Sequence, residues 1–360
     1  MKKMIFHIPM KIDINLHSGS QIRPQKMIQA FKNIGYDVDI VMGYVKERKQ
    51  QIKQIKQNIK DGIKYDFLYS ESSTMPTALT EKHHLPVAPF LDFNFFRFCK
   101  DNGIRIGLFY RDVYWVFEEY KKEVPFFKRK FAEFFYRNDL KNYTKYLDVF
   151  YLPSKQMFEY VPINFSKKVI ALPPAVEEKE SLQNRNGDNL RFIYVGGIGD
   201  LYNLRLFSQV TSKFEKIQFN LCTRKNEWEK SKEKYTDCSS VTVHHKNGDE
   251  LFMLYENSDI SIYFVKPHEL WSFAVGIKLF EYISYKKPII AVKNTAVGEF
   301  VEKYNIGWVI NYDESELENL IINLQNNPFQ IDEKIKNIEK IILKHTWEAR
   351  ALQVQEDLTI

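Results

Sequence analysis

The residues best placed to do chemistry are Lys278 and Glu281, in the string Gly276-Ile277-Lys278-Leu279-Phe280-Glu281-Tyr282-Ile283-Ser284-Tyr285-Lys286-Lys287-Pro288-Ile289-Ile290. It reads as a loop, a helix start, a short helix, a turn and a buried strand. The open amides at a helix N-terminus attract an anion, and a lysine in the first turn adds charge beside a phosphate. Glu281 follows three residues later, about one turn, and shares the face of Lys278. A carboxylate there can accept both hydroxyls of a ribose. The same spacing suits an ordinary Lys–Glu surface pair, and spacing alone leaves both readings open.

A second segment with chemical potential spans residues 121–145. It holds eight Lys or Arg (121, 122, 128, 129, 130, 137, 141, 145) against three acids (123, 133, 139), a local charge of +5. Phe126, Phe127, Phe131, Phe134 and Phe135 interleave with them. Such a basic, aromatic helix can lie on an anionic membrane surface, or it can pack on the core with a solvated basic rim. Metal chemistry finds little support. The pairs His83-His84 and His244-His245 put neighbours on opposite faces of a strand or apart on a helix, and there is no HxxxH or Asp-x-Asp in a suitable setting. No metal and no cofactor are expected. Nor does the chain contain a Walker loop or a Gly-x-Ser-x-Gly elbow.

These residues need elements to hold them, and the pattern supplies parallel α/β structure. Short apolar runs at 4–8, 38–42, 67–69, 104–110 and 149–152 alternate with amphipathic stretches at 24–34 and 46–60. Ile52, Ile55 and Ile59 give the latter an apolar face. Pro173-Pro174 and the polar run to Asn189 read as a linker. The alternation then restarts, with strands expected at 190–195, 217–222, 241–245, 259–264, 288–292 and 307–310. Helices are expected at 202–214, 248–257, 276–285 and 296–304, and residues 331–358 read as one long amphipathic helical segment. The expected division is 1–172 for an N-terminal domain, 173–340 for a C-terminal domain, and 341–360 for a helix that returns to the first.

At 360 residues the chain is comfortable for two domains. Its 52 basic and 46 acidic residues leave +6, well short of a dedicated nucleic-acid binder. Three scattered cysteines (Cys99, Cys222, Cys238) form no disulfide framework. The first apolar stretch is broken by His7, Pro9 and Lys11, too short for a signal-peptide core. No run approaches the roughly 18 apolar residues of a spanning helix. The expectation is a cytoplasmic protein, peripheral on the inner face of the membrane if residues 121–145 bind lipid.

The string GIKLFEYISYKKPII resembles the nucleotide-binding motif of family-4-like glycosyltransferases, commonly P-x-K-x-x-E-Y-(small)-x-x-(Gly/Lys)-K-P. The resemblance implies the B-type glycosyltransferase fold: two Rossmann-like α/β/α domains facing each other across a cleft. By it, Glu281 takes the donor ribose and Lys278 sits near the diphosphate. The family often has Pro where Gly276 stands, and many members carry a second Glu eight residues before Glu281, where this chain has Phe273, with Glu269 nearby. Phe192 to Asp200 (FIYVGGIGD) resembles the first strand and glycine loop of the C-terminal domain. Gly197 and Gly199 would let backbone amides approach a phosphate, although a tight turn also explains them. The family's loop cations are replaced by Gly197 and Tyr202. Arg224, Arg205 or Lys278 could compensate, with Arg224 favoured. Val241 to Lys246 resembles the strand and loop that frame the base, which places His245 there.

On the acceptor side the resemblance covers HSGSQIRP (17–24). Gly19 would permit close approach, and Arg23 would meet an acceptor phosphate or serve as a helix-start surface charge. Arg111 and Asp112 stand where relatives keep a polar residue near the catalytic centre. Asp112 can orient an acceptor hydroxyl or act as base, or it can cap the next helix. The ending His345-Thr346-Trp347-Glu348-Ala349-Arg350 matches a common family ending. The implied reaction is transfer from a UDP- or GDP-linked sugar to a lipid-linked or growing glycan of capsule, exopolysaccharide or lipopolysaccharide type, with retention and without metal. The competing readings are a nucleotide-sugar 2-epimerase-like enzyme, which turns over free nucleotide sugar without acceptor, and a non-catalytic two-lobed sugar-binding module.

Overall fold

A computed structural model describes residues 2–13, 19–179 and 189–359. It divides into two compact units, Met1–Pro174 with Trp347–Ile360, and Ala175–Thr346. The change of unit falls after Pro174 and after Thr346.

The first unit alternates strands and helices: β1 (Lys2–Ile8), α1 (Gly19–Asn33), β2 (Tyr36–Met42), α2 (Val45–Lys60), β3 (Phe67–Glu71), α3 (Leu91–Asp101), β4 (Arg105–Phe109), α4 (Glu118–Glu123), α5 (Phe126–Tyr146), β5 (Val149–Leu152) and β6 (Lys168–Ala171). Its sheet is parallel throughout, in the order β2-β1-β3-β4-β5-β6. Strands covered on both faces read as nearly continuous apolar runs. That is why Met4–Ile8 and all of β3 are buried, including His7, Ser70 and Glu71.

The second unit comprises β7 (Leu190–Val195), α6 (Arg205–Thr211), β8 (Ile217–Cys222), α7 (Lys225–Ser231), β9 (Val241–His244), α8 (Leu251–Glu256), β10 (Ile260–Tyr263), α9 (Ile277–Ser284), β11 (Ile289–Val292), α10 (Ala296–Tyr304), β12 (Gly307–Ile310), α11 (Glu314–Asn326) and α12 (Phe329–Ile341). Its parallel sheet runs β12-β11-β10-β7-β8-β9, the doubly wound order in which strand succession reverses between β7 and β10. One apolar cluster, with Phe192, Phe207, Phe219, Leu317 and Ile335, covers one face. The other face carries Ile193, Leu279, Phe280, Ile283, Val301 and Ile338.

The expected long helix over 331–358 is broken. α12 ends at Ile341, a 3-10 turn covers Ile342–His345, and α13 (Trp347–Thr359) follows. His345 is buried against the rings of Phe280, Phe300 and Tyr304, and Thr346 is extended and bridges Val176. The packing of His345 and that bridge fix a non-helical corner inside an otherwise helical pattern. α13 then packs on α1, β3 and β4 of the first unit. Gly107 of β4 makes room for it: a Cβ there would lie 2.9 Å from Leu358 Cδ1. Arg350 of α13 donates to the carbonyls of Pro173 (3.2 Å) and Pro174 (3.3 Å). Among the described residues no helix is long and apolar enough to cross a membrane.

Candidate functional site

In open α/β sheets ligands settle beyond the carboxyl ends of the strands, where strand succession reverses. In the second unit that place lies after β7 and β10. After β7 come Gly196, Gly197 and Gly199; after β10 the chain passes a short turn at Glu269–Ser272 and enters α9 at Gly276. Arg224 and His245 follow β8 and β9. All six expected donor-side residues (Gly197, Gly199, Arg224, His245, Lys278, Glu281) therefore lie beyond the carboxyl ends of strands of one sheet.

Lys278 is the organising group. Its ammonium donates to the Tyr194 hydroxyl (2.7 Å), which in turn donates to the Gly197 carbonyl (2.7 Å). It also lies 4.0 Å from the ring centre of Tyr202 and 4.6 Å from that of Tyr194, within the range of a cation–π attraction. One lysine thus ties the first turn of α9 to the glycine loop after β7. Gly196 makes this possible. Its φ is +150°, and a Cβ there would stand 2.0 Å from Lys278 Cε. Burial pulls the lysine down to about 7, against the raising influence of Glu281 and Glu227. Among the described residues no side chain caps α9, which leaves the Ile277 and Lys278 amides for an incoming anion.

Glu281 lies one turn on, half-buried, beside the Tyr255 hydroxyl. Burial pushes its carboxyl above the usual range, opposed by Tyr255 and Lys278. His245 is exposed, and its Nδ1–H donates to the Thr223 carbonyl (2.8 Å). Arg224 is largely exposed and pairs with Glu227. Phe273 is buried, while Glu269 is exposed at the turn before it.

In the first unit Arg111 and Asp112 follow β4. The Arg111 amide donates to Ser72 Oγ (3.0 Å), its Nε to the Ser72 carbonyl (3.2 Å) and its Nη2 to Glu71 Oε2 (3.2 Å). Asp112 Oδ1 accepts from the Tyr114 amide (2.9 Å), a local bond that leads the chain into the 3-10 turn Tyr114–Val116. Burial raises its carboxyl, with Arg111 pulling the other way. Arg23 is only 3% exposed. It reaches Glu71 Oε1 at 3.2 Å and lies 3.6 Å over the Phe109 ring, so its charge is spent in the interior. Gly19 opens α1; His17 and Ser18 of the expected loop lie outside the described residues. Nearby, His7, Ser70, Asp92 and Arg48 form a closed buried network. His7 contacts Ser70 Oγ (2.8 Å) and Asp92 Oδ1 (3.0 Å), and Arg48 grips both oxygens of Asp92 (3.0 and 3.1 Å).

The sequence reading missed Tyr194, Tyr255, Glu71 and Glu227. Only Tyr194 had a local signal, as an aromatic two residues before the glycine loop. Among the described residues no group of three His, Cys, Asp or Glu side chains comes together to hold a metal.

Two parallel, doubly wound units of this kind define the B-type glycosyltransferase fold. Solved structures share it over the full chain. The Anabaena protein Alr3699/HepE in complex with UDP-glucose matches at TM-score 0.64 and 12% identity, covering 100% of both chains. A glycosyltransferase from Rickettsia africae matches at 0.65 and 12%, covering 99% of this chain and 98% of that one. WaaG, a glycosyltransferase involved in lipopolysaccharide biosynthesis, matches at 0.60 and 12%, over 99% and 100%. No family model and no curated protein matches the sequence.

Proposed function

We propose that the chain is a glycosyltransferase that takes a sugar from a UDP- or GDP-linked donor to a lipid-linked or growing surface glycan, with retention and without a metal. The observation that carries this reading is the tie between Lys278, the first turn of α9 and the glycine loop. It gathers a cation, open amides and the ribose-accepting carboxylate of Glu281 where strand succession reverses. A glycosyl transition state sheds a diphosphate, and preorganised donors aimed at that leaving group lower the barrier. Lys278, the loop amides and the N-terminus of α9 fill that role, with Arg224 in support and His245 beside the base. The structures of similar fold that hold UDP-glucose or UDP favour a uridine donor. In the first unit Asp112, raised by burial and held by the Tyr114 amide, is the candidate to orient or deprotonate the acceptor hydroxyl, with Arg111 beside it.

Calorimetric titration with UDP, GDP and CMP tests this. One diphosphate is expected to bind at micromolar affinity, and Glu281→Ala to lose about tenfold, near 1.4 kcal/mol. No binding by any of them, or equal binding by the variant, removes the donor site.

The reading extends to the membrane. Phe127 is 85% exposed and Phe134 66%, and Phe126 and Phe131 are also exposed. They share α5 with Lys128, Arg129, Lys130, Arg137 and Lys141. Aromatic and basic side chains together favour an anionic lipid surface. Co-sedimentation should retain the protein on vesicles of one-third phosphatidylglycerol at low salt and not on pure phosphatidylcholine. Phe127→Ser with Phe134→Ser should cut retention several-fold; unchanged retention rules this face out.

A further inference from the structure

Glu227 lies against the glycine loop of the proposed donor site, yet it has the wrong charge for a diphosphate pocket. It lies in the first turn of α7, and its Oε2 accepts from the Ile198 amide of the glycine loop (3.0 Å). A Cβ on Gly197 would come within 2.9 Å of the same oxygen, so the carboxylate lies directly against the loop. Its other oxygen holds Arg224, the exposed cation at the end of β8. Lys278 also feels its charge. A carboxylate with one oxygen on a loop amide and the other on a guanidinium has the same contacts as a phosphate group in such a loop.

We infer that Glu227 occupies the diphosphate position of the donor site in the nucleotide-free protein and is exchanged for the diphosphate when a nucleotide binds. The inference rests on the donor site proposed above and adds a residue that governs selection within it. In the exchange the Ile198 amide and Arg224 pass from the carboxylate to phosphate oxygens. Glu227 must then move, because two anions cannot share one amide and one cation. The contact is built for release: Arg224 is 70% exposed at its side chain and Glu227 23%, so both can swing into water.

Two consequences follow. The nucleotide must carry enough charge to win the exchange, so a diphosphate is favoured over a monophosphate by more than one extra contact. After transfer, the return of Glu227 helps expel the nucleoside diphosphate product. The glutamate thus sets both the charge class of ligand the site accepts and how readily it lets go.

The test is calorimetric titration of uridine, UMP and UDP into wild type, Glu227→Gln and Glu227→Ala, with thermal melts to show that each variant folds. Both variants are expected to bind UDP about fivefold or more tightly than wild type, to show a smaller UDP-to-UMP preference, and to bind uridine unchanged. Inorganic pyrophosphate should compete with UDP better in the variants. If wild type binds UDP and both folded variants bind it equally or more weakly, Glu227 stays in place and the exchange is wrong. A uniform gain for uridine, UMP and UDP also overturns it, because a charge exchange cannot act on a ligand without phosphate. If neither wild type nor variants bind any of the three, both the exchange and the donor site beneath it fall. Loss confined to Glu281→Ala, with Glu227 without effect, removes the exchange alone.

Discussion

UDP-glucose is expected to bind this protein about fivefold more weakly at pH 8 than at pH 7, and about 50-fold, near 2.3 kcal/mol, by pH 9. Lys278 is the cause. Burial beside Tyr194 and Tyr202 brings its ammonium down to about 7 from the ordinary 10.5. In the free protein above that pH it is mostly neutral, and a bound diphosphate must draw a proton onto it. Binding is therefore linked to proton uptake, and affinity falls with pH until the higher pKa of the complex is reached. UDP-glucose is the better probe than UDP because its diphosphate does not titrate in this range. Lys278→Arg, permanently charged, should flatten the profile, and titration in buffers of different ionisation enthalpy should show uptake approaching one proton near pH 8. A profile as steep in Lys278→Met as in wild type would take Lys278 away from the diphosphate. For the free protein the sign is opposite. The unfolded chain keeps this proton up to 10.5 while the folded lysine loses it near 7, so the group's contribution to stability grows as pH rises between them.

Asp139→Asn is expected to raise the stability of the first unit at pH 8 by as much as about 4 kcal/mol, and by little at pH 4. Asp139 of α5 is buried; one oxygen accepts from the Thr77 amide (2.7 Å), and the other has no partner among the described residues. Burial lifts its carboxyl to about 7 from 3.8. A raised carboxyl favours the folded state when protonated. Its contribution is whole below 3.8 and is lost as pH climbs through 7, leaving a buried charge above. Asparagine keeps an oxygen for Thr77 and carries no charge. Melts of both proteins at pH 5 and pH 8 should show a gain of several degrees, concentrated at pH 8. An equal shift at both values means the carboxyl is already ionised at pH 5.

The architecture was legible because it depends on local pattern. Buried parallel strands show as apolar runs, and Met4–Ile8, Leu190–Val195 and Ile289–Val292 announce themselves in this way. β6 was missed because Lys-Val-Ile-Ala is short and only partly buried at the sheet edge. α3 was missed although Phe93, Phe95, Phe96 and Cys99 are buried and Asn94, Arg97 and Lys100 exposed, a helical spacing that stands in the sequence. The break at Thr346 depends on a partner, Val176, far away in sequence. The candidate site divides similarly. Lys278 and Glu281 could be paired on paper because three residues make one turn. Glu227 could not be placed, since its contact with Ile198 joins α7 to the glycine loop after β7 and a Glu in a charged helix gives no sign of it. Arg23 shows the converse: a cation beside a glycine looked outward in the sequence, yet Glu71 and Phe109 hold it inside.

The first unit is built from two separated stretches of chain, and α13, its last piece, closes over α1, β3 and β4. Synthesis on the ribosome runs from the N-terminus, so the whole of residues 175–346 emerges before that helix exists. Until then Gly107 faces an empty groove where Leu358 will sit, and the Pro173 and Pro174 carbonyls wait for Arg350. The half begun first is the half completed last. In the interval its apolar seam is open to chaperones, or to the same seam on a neighbouring nascent chain.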